Sequence, residues 1–223
     1  MWMCSSAFGS ARIRSSTLVA LRPTIASRAA TIRCRTDREE GGRMDLEPRF
    51  TEDEIREAVA RIARAIEADV PRPDTTRPLL LVGVLKGSFV LLADLVRELT
   101  IPAEVDFVRA RSYGAGTTSA GAVEITKDLE TDVTGRDVIV VEDIAETGRT
   151  MDAICAHIAA SRPASLRRCA LLVREGGPAE DDPPDYAGLR VGPGFVVGYG
   201  LDHAERYRGL RDIRALPEDG PPA

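Results

Sequence analysis

The apolar positions of this chain change period in a regular way. Thr51-Glu-Asp-Glu54 has the form of a capping box, in which a hydroxyl and the carboxylate three residues on satisfy exposed N–H groups. Ile55, Val59, Ile62 and Ile66 follow at steps of four, three and four, which predicts a helix with one buried stripe, ended by Pro71, Pro73 and Pro78. Leu79-Leu-Leu-Val-Gly-Val84 is continuously apolar, as a strand covered on both faces requires. Phe89, Leu92, Val96 and Leu99 return to helical spacing, and Val105 and Phe107 alternate as a strand. A Gly, Ser and Thr loop over 111–122 comes next, then a second buried strand, Val138-Ile-Val-Val141. The remaining pattern predicts a helix over 150–160, a strand over 168–173, an acidic Pro/Gly-rich loop over 175–185 and a last short strand, Phe195-Val-Val197. Strands alternating with helices predict an α/β fold with a doubly wound, mostly parallel sheet. Ligands of such sheets bind beyond the carboxyl ends of the strands.

Composition narrows the class. The chain has 223 residues, 43% hydrophobic and 29% charged, too apolar for wholesale disorder. Its longest apolar run, over 79–85, falls far short of the roughly 18 residues that span a bilayer, so no membrane segment is expected. Cys4, Cys34, Cys155 and Cys169 lie far apart, and there are only two histidines, which argues against a zinc cluster or a disulfide framework. Reduced thiols point to a reducing compartment, and we expect a cytoplasmic protein.

Charge is divided unevenly. Residues 1–43 hold eight arginines against three acids, so residues 44–223 carry −10 of the total −5. An acidic body argues against a nucleic-acid surface. Lys86 and Lys127 are the only lysines, against 28 arginines. The Arg-, Ser- and Ala-rich residues 1–43 have the composition of an organelle transit peptide, which would make the protein organellar. Equally, Met44 can be the true start. Either way, 1–43 is expected to be a disordered extension, 44–214 the folded domain and 215–223 a flexible tail.

The strongest chemical signal is Val138-Ile-Val-Val-Glu-Asp-Ile-Ala-Glu-Thr-Gly-Arg-Thr150. A buried strand runs into two carboxylates, Glu142 and Asp143, then a tight loop, then a helix. A loop that presents backbone N–H groups and hydroxyls at a helix N-terminus is a phosphate cradle. Two acids before it can hold ribose hydroxyls and hydrated Mg²⁺, which takes hard oxygen ligands. No Gly-x4-Gly-Lys-Ser/Thr occurs, which excludes a P-loop NTPase, and Gly114-Ala-Gly116 lacks the third glycine of a dinucleotide fingerprint.

This segment resembles the ribose-phosphate signature of the type I phosphoribosyltransferases, and its flanks are similar to those of the hypoxanthine (hypoxanthine-guanine) phosphoribosyltransferases. Val84-Leu-Lys-Gly-Ser88 is similar to that family's pyrophosphate loop, Arg111-Ser-Tyr-Gly114 to the start of its mobile lid, and Phe195-Val-Val-Gly-Tyr-Gly-Leu-Asp202 with Glu205-Arg-Tyr-Arg208 to its purine-binding end. Together the motifs cover roughly 51–214. The resemblance implies the family's twisted sheet with a lid and a small purine-binding hood. It also implies Mg²⁺-dependent transfer of 5-phosphoribosyl from phosphoribosyl pyrophosphate (PRPP) to N9 of hypoxanthine and also guanine, by a homodimer or homotetramer.

Site roles follow from the same resemblance. Glu142, Asp143, Glu146, Thr147, Gly148, Arg149 and Thr150 would hold ribose and 5′-phosphate, with Glu146 the catalytic acid/base. Lys86, Gly87 and Arg208 would take pyrophosphate, and the family's peptide at Lys86-Gly87 can be cis. Arg174, Phe195, Val196 and Asp202 would meet the purine, Ser112 and Tyr113 would belong to the lid, and Glu142, Asp143 and Asp202 would meet the metal. His157 and His203 read as surface or helix-face residues.

Two positions depart from the family pattern. Glu146 stands where the family has Asp, and Arg174 where it has Lys. A longer carboxylate reaches differently from the same backbone, and Arg and Lys are not interchangeable donors. Two rivals are therefore kept: a non-catalytic regulator that senses PRPP or nucleotide on the same fold, and a xanthine-preferring enzyme.

Overall fold

The two buried strands read from the sequence lie side by side at the centre of one sheet, and everything else is arranged about them. The structure is a computed structural model that describes residues 46–70, 78–112 and 123–217; the 1–43 extension, Tyr113 and most of the lid lie outside these. In chain order the elements are β1 (Glu47–Phe50), α1 (Glu52–Asp69), β2 (Leu79–Val84), α2 (Phe89–Glu98), β3 (Ala103–Ser112), β4 (Val123–Lys127), β5 (Asp137–Ala145), α3 (Arg149–Ala159), β6 (Ser165–Arg174), α4 (Pro178–Asp181), β7 (Tyr186–Val191), β8 (Val196–Val197) and β9 (Ile213–Ala215).

Six strands form the main sheet in the order β4-β3-β2-β5-β6-β7, parallel except for the edge strand β4. Successive strand residues point to opposite faces. Leu79, Leu81, Ile139 and Val141 thus pack with Ile55, Ile62, Ile66 and Leu91 of α1 and α2. Leu80, Val82, Val84, Val138 and Val140 pack with Met151, Ile154 and Ile158 of α3. Both central strands are apolar without interruption because both faces are covered. The capping box forms as expected: Glu54 N–H donates to Thr51 Oγ1 at 3.3 Å and Thr51 N–H to Glu54 Oε2 at 2.8 Å.

Several elements differ from the sequence reading. Arg111 and Ser112, read as the start of a loop, finish β3. The 175–185 loop contains the single turn of α4. Strands β1, β4, β7 and β9 have no counterpart in the sequence pattern. β7 has Gly188 in its middle, where a Cβ would stand 2.6 Å from Leu171 O and 3.3 Å from Ile62 Cδ1, so the close approach of β6 and α1 demands glycine. β9 takes in Ala215, the first residue assigned to the tail, and Leu216 after it is also buried.

A second, three-stranded antiparallel sheet, β1-β9-β8, forms a small hood. In the main sheet, β2 leads through α2 to β3 on one side, whereas β5 leads through α3 to β6 on the other. The crevice outside the carboxyl ends of β2 and β5 is therefore a topological switch point, the place where open α/β sheets bind ligands.

Candidate active site

β2 ends at Val84, and the chain turns through residues 85–88, held by the buried Ser88, whose hydroxyl donates to Val84 O at 2.7 Å. The Leu85–Lys86 peptide is cis, one bond before the Lys86–Gly87 peptide that the resemblance pointed to. Gly87 does not have positive φ; what it supplies is space. A Cβ there would stand 1.6 Å from Asp143 Oδ2. Gly200, at φ +100°, lies against the other side of this turn, where a Cβ would stand 2.1 Å from Gly87 O. The ends of β2 and β5 and the hood segment thus meet through two glycines.

The two adjacent carboxylates do not point the same way. Continuing the alternation of β5, Asp143 faces the Gly87 turn, and Glu142 faces α3. Burial, with the like charges of Asp143, Glu146 and Asp152, pushes Glu142 up to about 8. Burial also raises Asp143, against the pull of its backbone N–H contacts and Arg208 and with a further push from Asp202. The structure therefore brings Asp143 and Asp202 within electrostatic reach of each other. No cluster of three or more metal-ligating side chains occurs among the described residues. The donors still suit Mg²⁺: they are hard carboxylate oxygens in a desolvated cleft, where a cation would offset the cost of ionising them.

The positive partners come from the hood and the β2 turn. Arg208 donates to Asp202 Oδ1 at 2.7 Å and Gly200 O at 2.8 Å, and its buried Nε has no protein partner. Glu205 bridges the cations, at 2.9 Å from Lys86 Nζ and 3.4 Å from Arg208 Nη2. The Lys86 hydrogen bond, ahead of the attraction of Lys86 and Arg208, holds Glu205 below the usual carboxylate range. The sequence reading gave Glu205 no role. Its place depends on a turn in which Ala204, Glu205 and Tyr207 all have positive φ, which no local pattern announces.

Beyond β5, residues 146–148 lead into α3. Gly148, at φ +73°, is the N-cap and has no side chain with which to cap the helix. Arg149 N–H lies 3.4 Å from Thr147 Oγ1 and Gly148 O accepts from Asp152 N–H at 2.8 Å. A helix start behind a glycine N-cap is suited to a phosphate. Glu146 and Arg174, the two departures from the family pattern, meet here: Arg174 Nη2 and Nε stand 2.7 and 3.2 Å from Glu146 Oε1.

On the hood, Val196 is buried and Phe195 is 54% exposed. The ring of His203, read as a surface residue, stands edge-on to Phe195 with centroids 5.3 Å apart, which leaves a large aromatic surface beside the cleft. His157 pairs with Asp128 at 2.9 Å. Ser112 ends β3, and Tyr113 falls outside the described residues. A cavity of about 670 Å³ between α1, α2 and the 199–211 segment shares Arg208 with the cluster but contains none of residues 142–150.

Comparison with known proteins agrees with this geometry. The phosphoribosyl transferase domain family matches residues 51–204. The hypoxanthine phosphoribosyltransferase of Salmonella typhimurium is 40% identical over 165 residues, 74% of this chain and 92% of that one. The hypoxanthine-guanine phosphoribosyltransferase of Dictyostelium discoideum is 38% identical over 179 residues, 79% and 98% of the two chains. A solved glutamic acid mutant from an analysis of an invariant aspartic acid in HPRTs superposes with TM-score 0.72 at 38% identity, covering 79% of this chain and 97% of that one. Trypanosoma cruzi hypoxanthine phosphoribosyltransferase in complex with the product IMP gives 0.72 at 36% identity, covering 82% and 99%. A hood over the switch-point crevice, a family match across most of the domain and relatives aligned nearly end to end lead to one conclusion: the chain belongs to the hypoxanthine phosphoribosyltransferases, within the phosphoribosyltransferase family.

Proposed function

We propose that the chain transfers the 5-phosphoribosyl group from PRPP to N9 of hypoxanthine, and also of guanine, giving the nucleotide and pyrophosphate in purine salvage. The observation that carries this reading is the meeting of the Lys86-Gly87 turn, Asp143 and the Asp202–Arg208 pair at one switch point, beside the glycine N-cap of α3.

In this reading residues 147–150 bind the 5′-phosphate through backbone N–H groups, and Glu142 and Asp143 orient the ribose. Lys86 and Arg208 neutralise the departing pyrophosphate, for which a guanidinium fork is well shaped. As the bond from ribose C1 to pyrophosphate breaks and the bond to N9 forms, positive charge gathers on the ribose. The chain contributes by positioning, fixed charge and exclusion of water. Glu146 exchanges a proton with purine N7, Phe195 stacks on the ring, Val196 offers backbone groups to its edge, and Arg174 donates to the 6-oxo oxygen. Asp143 and Asp202 would hold Mg²⁺, which would offset the charge of pyrophosphate. Ser112 and Tyr113 belong to a lid that closes over the reaction.

We place the protein in the cytoplasm as a homodimer or homotetramer acting on small molecules. No helix among the described residues is long and apolar enough to cross a membrane. The test is an absorbance assay of the full chain with PRPP, Mg²⁺ and hypoxanthine, guanine, xanthine, adenine or uracil. Nucleotide formation from hypoxanthine and guanine, abolished by EDTA and by Glu146→Ala, is expected. No turnover with any base, with PRPP still bound in calorimetry, would overturn the proposal in favour of a PRPP-sensing regulator.

A further inference from the structure

Glu146 and Arg174 lie 28 residues apart, at the ends of neighbouring strands, and form a built pair. Arg174 turns the side of its guanidinium to a single carboxylate oxygen, with Nη2 at 2.7 Å and Nε at 3.2 Å from Oε1, while Nη1 donates to Gly192 O at 2.6 Å. The arginine side chain is 15% exposed and the glutamate 55%, so the fixed partner is the arginine. The backbone of Glu146 is fixed as well: its carbonyl accepts from Ala179 N–H at 3.3 Å and leaves no room for a Cβ on Gly177, which would stand 2.9 Å away. What the backbone leaves free is the direction of the glutamate side chain.

We infer that Arg174 is the positioning residue for Glu146, an inference that rests on the proposed reaction. The fork holds Oε1 and leaves Oε2 outside it for the base. Of the five guanidinium N–H donors, three are used by Glu146 and Gly192, and two remain for an oxygen acceptor on the same base. A glutamate without this fork would sample many rotamers, and acid–base catalysis depends on geometry before pKa. Shortening residue 146 by one methylene withdraws the carboxylate by about 1.5 Å, which takes the 2.7 Å contact to about 4 Å, outside hydrogen-bond range.

The test is a double-mutant cycle in steady-state kinetics of the full chain with hypoxanthine and PRPP: Glu146→Asp, Arg174→Gln and the two combined. Asp keeps the acid–base group outside the fork, and Gln removes the fork. Each single variant is expected to lose about ten-fold in kcat, with the KM for PRPP unchanged and the thermal midpoint within a few degrees. In kcat the combined variant is expected to lose no more than the worse single one, because Arg174 then has nothing to position; loss of its donation to the base is read separately, in the KM for hypoxanthine. A loss of about a hundred-fold, the product of the two, would overturn the inference, as would a raised KM for hypoxanthine with unchanged kcat in Arg174→Gln. Absence of turnover by the unaltered chain would instead refute the proposed reaction, and this inference with it.

Discussion

Gly87 and Gly200 touch one another, yet replacing each by alanine should fail in a different way. A Cβ on Gly87 would stand 1.6 Å from Asp143 Oδ2 and 2.4 Å from its Cγ, so the carboxylate must retreat by about 2 Å to reach ordinary contact. The obstructing group is the free end of a side chain, and Gly87 has no positive φ to strain. The fold therefore yields at small cost, about 1 kcal/mol, a drop of about 2–4 °C in Tm. The displaced group is one that the proposed reaction uses, and misplacement by about 1 Å can cost about 10²-fold in rate. Gly200 is different: it has φ +100°, and its Cβ would meet the Gly87 carbonyl oxygen at 2.1 Å. Backbone strain of about 1–3 kcal/mol adds to overpacking of a similar size, which lowers Tm by about 5–20 °C. Differential scanning calorimetry and kcat/KM on the folded fraction, run on both variants, separate the two. A Gly87→Ala protein that melts as early as Gly200→Ala, or that keeps full kcat/KM, would refute the reasoning.

Three further outcomes follow from the same geometry. Burial raises Glu142 from 4.5 to about 8, so the ligand-free fold holds a proton that the unfolded chain has lost. Its stability should therefore fall as pH rises from about 5 to 8, by at most about 2 kcal/mol between pH 6 and 8, and urea midpoints should show a flatter dependence in Glu142→Gln. A midpoint that rises over this range contradicts the assignment. Asp106 accepts from the N–H groups of Phe107, Glu130 and Thr131 at 2.6, 2.8 and 2.8 Å while 7% exposed, so Asp106→Ala should cost about 2–4 kcal/mol in urea unfolding. Glu205 occupies both cations that pyrophosphate would use, and Glu205→Gln should lower the inhibition constant for pyrophosphate about three- to ten-fold. An unchanged constant would show that Glu205 does not compete.

What the sequence made legible was local and strongly periodic. The capping box at Thr51, the continuous apolar runs of β2 and β5 and the strand-end acids each lie within a few residues of what determines them. The strands without a local signal depend on distant partners. β1 is Glu-Pro-Arg-Phe, with no apolar alternation, and becomes a strand because Glu47 pairs with Ala215. β7 carries a glycine that only the nearness of Leu171 and Ile62 explains. Within the site, the divergence of Glu142 and Asp143 follows from strand alternation and was readable in principle. The meeting of Glu146 with Arg174 was not, because it depends on β5 and β6 pairing in register through Ala145 and Val173.

The hood gives the two ends of the domain a shared fate. β9 is the middle strand, hydrogen-bonded to β1 at one edge and to β8, which carries Val196, at the other. Fraying at Glu47–Phe50 or beyond Ile213 therefore loosens the strand next to the exposed Phe195. A purine clamped by the hood should in turn slow amide hydrogen exchange in β1, some 150 residues earlier in the chain than β8. An affinity tag fused at residue 44 or directly after Leu216 would abut this zipper, which makes tag position a control for base affinity measurements as well as a handle for purification.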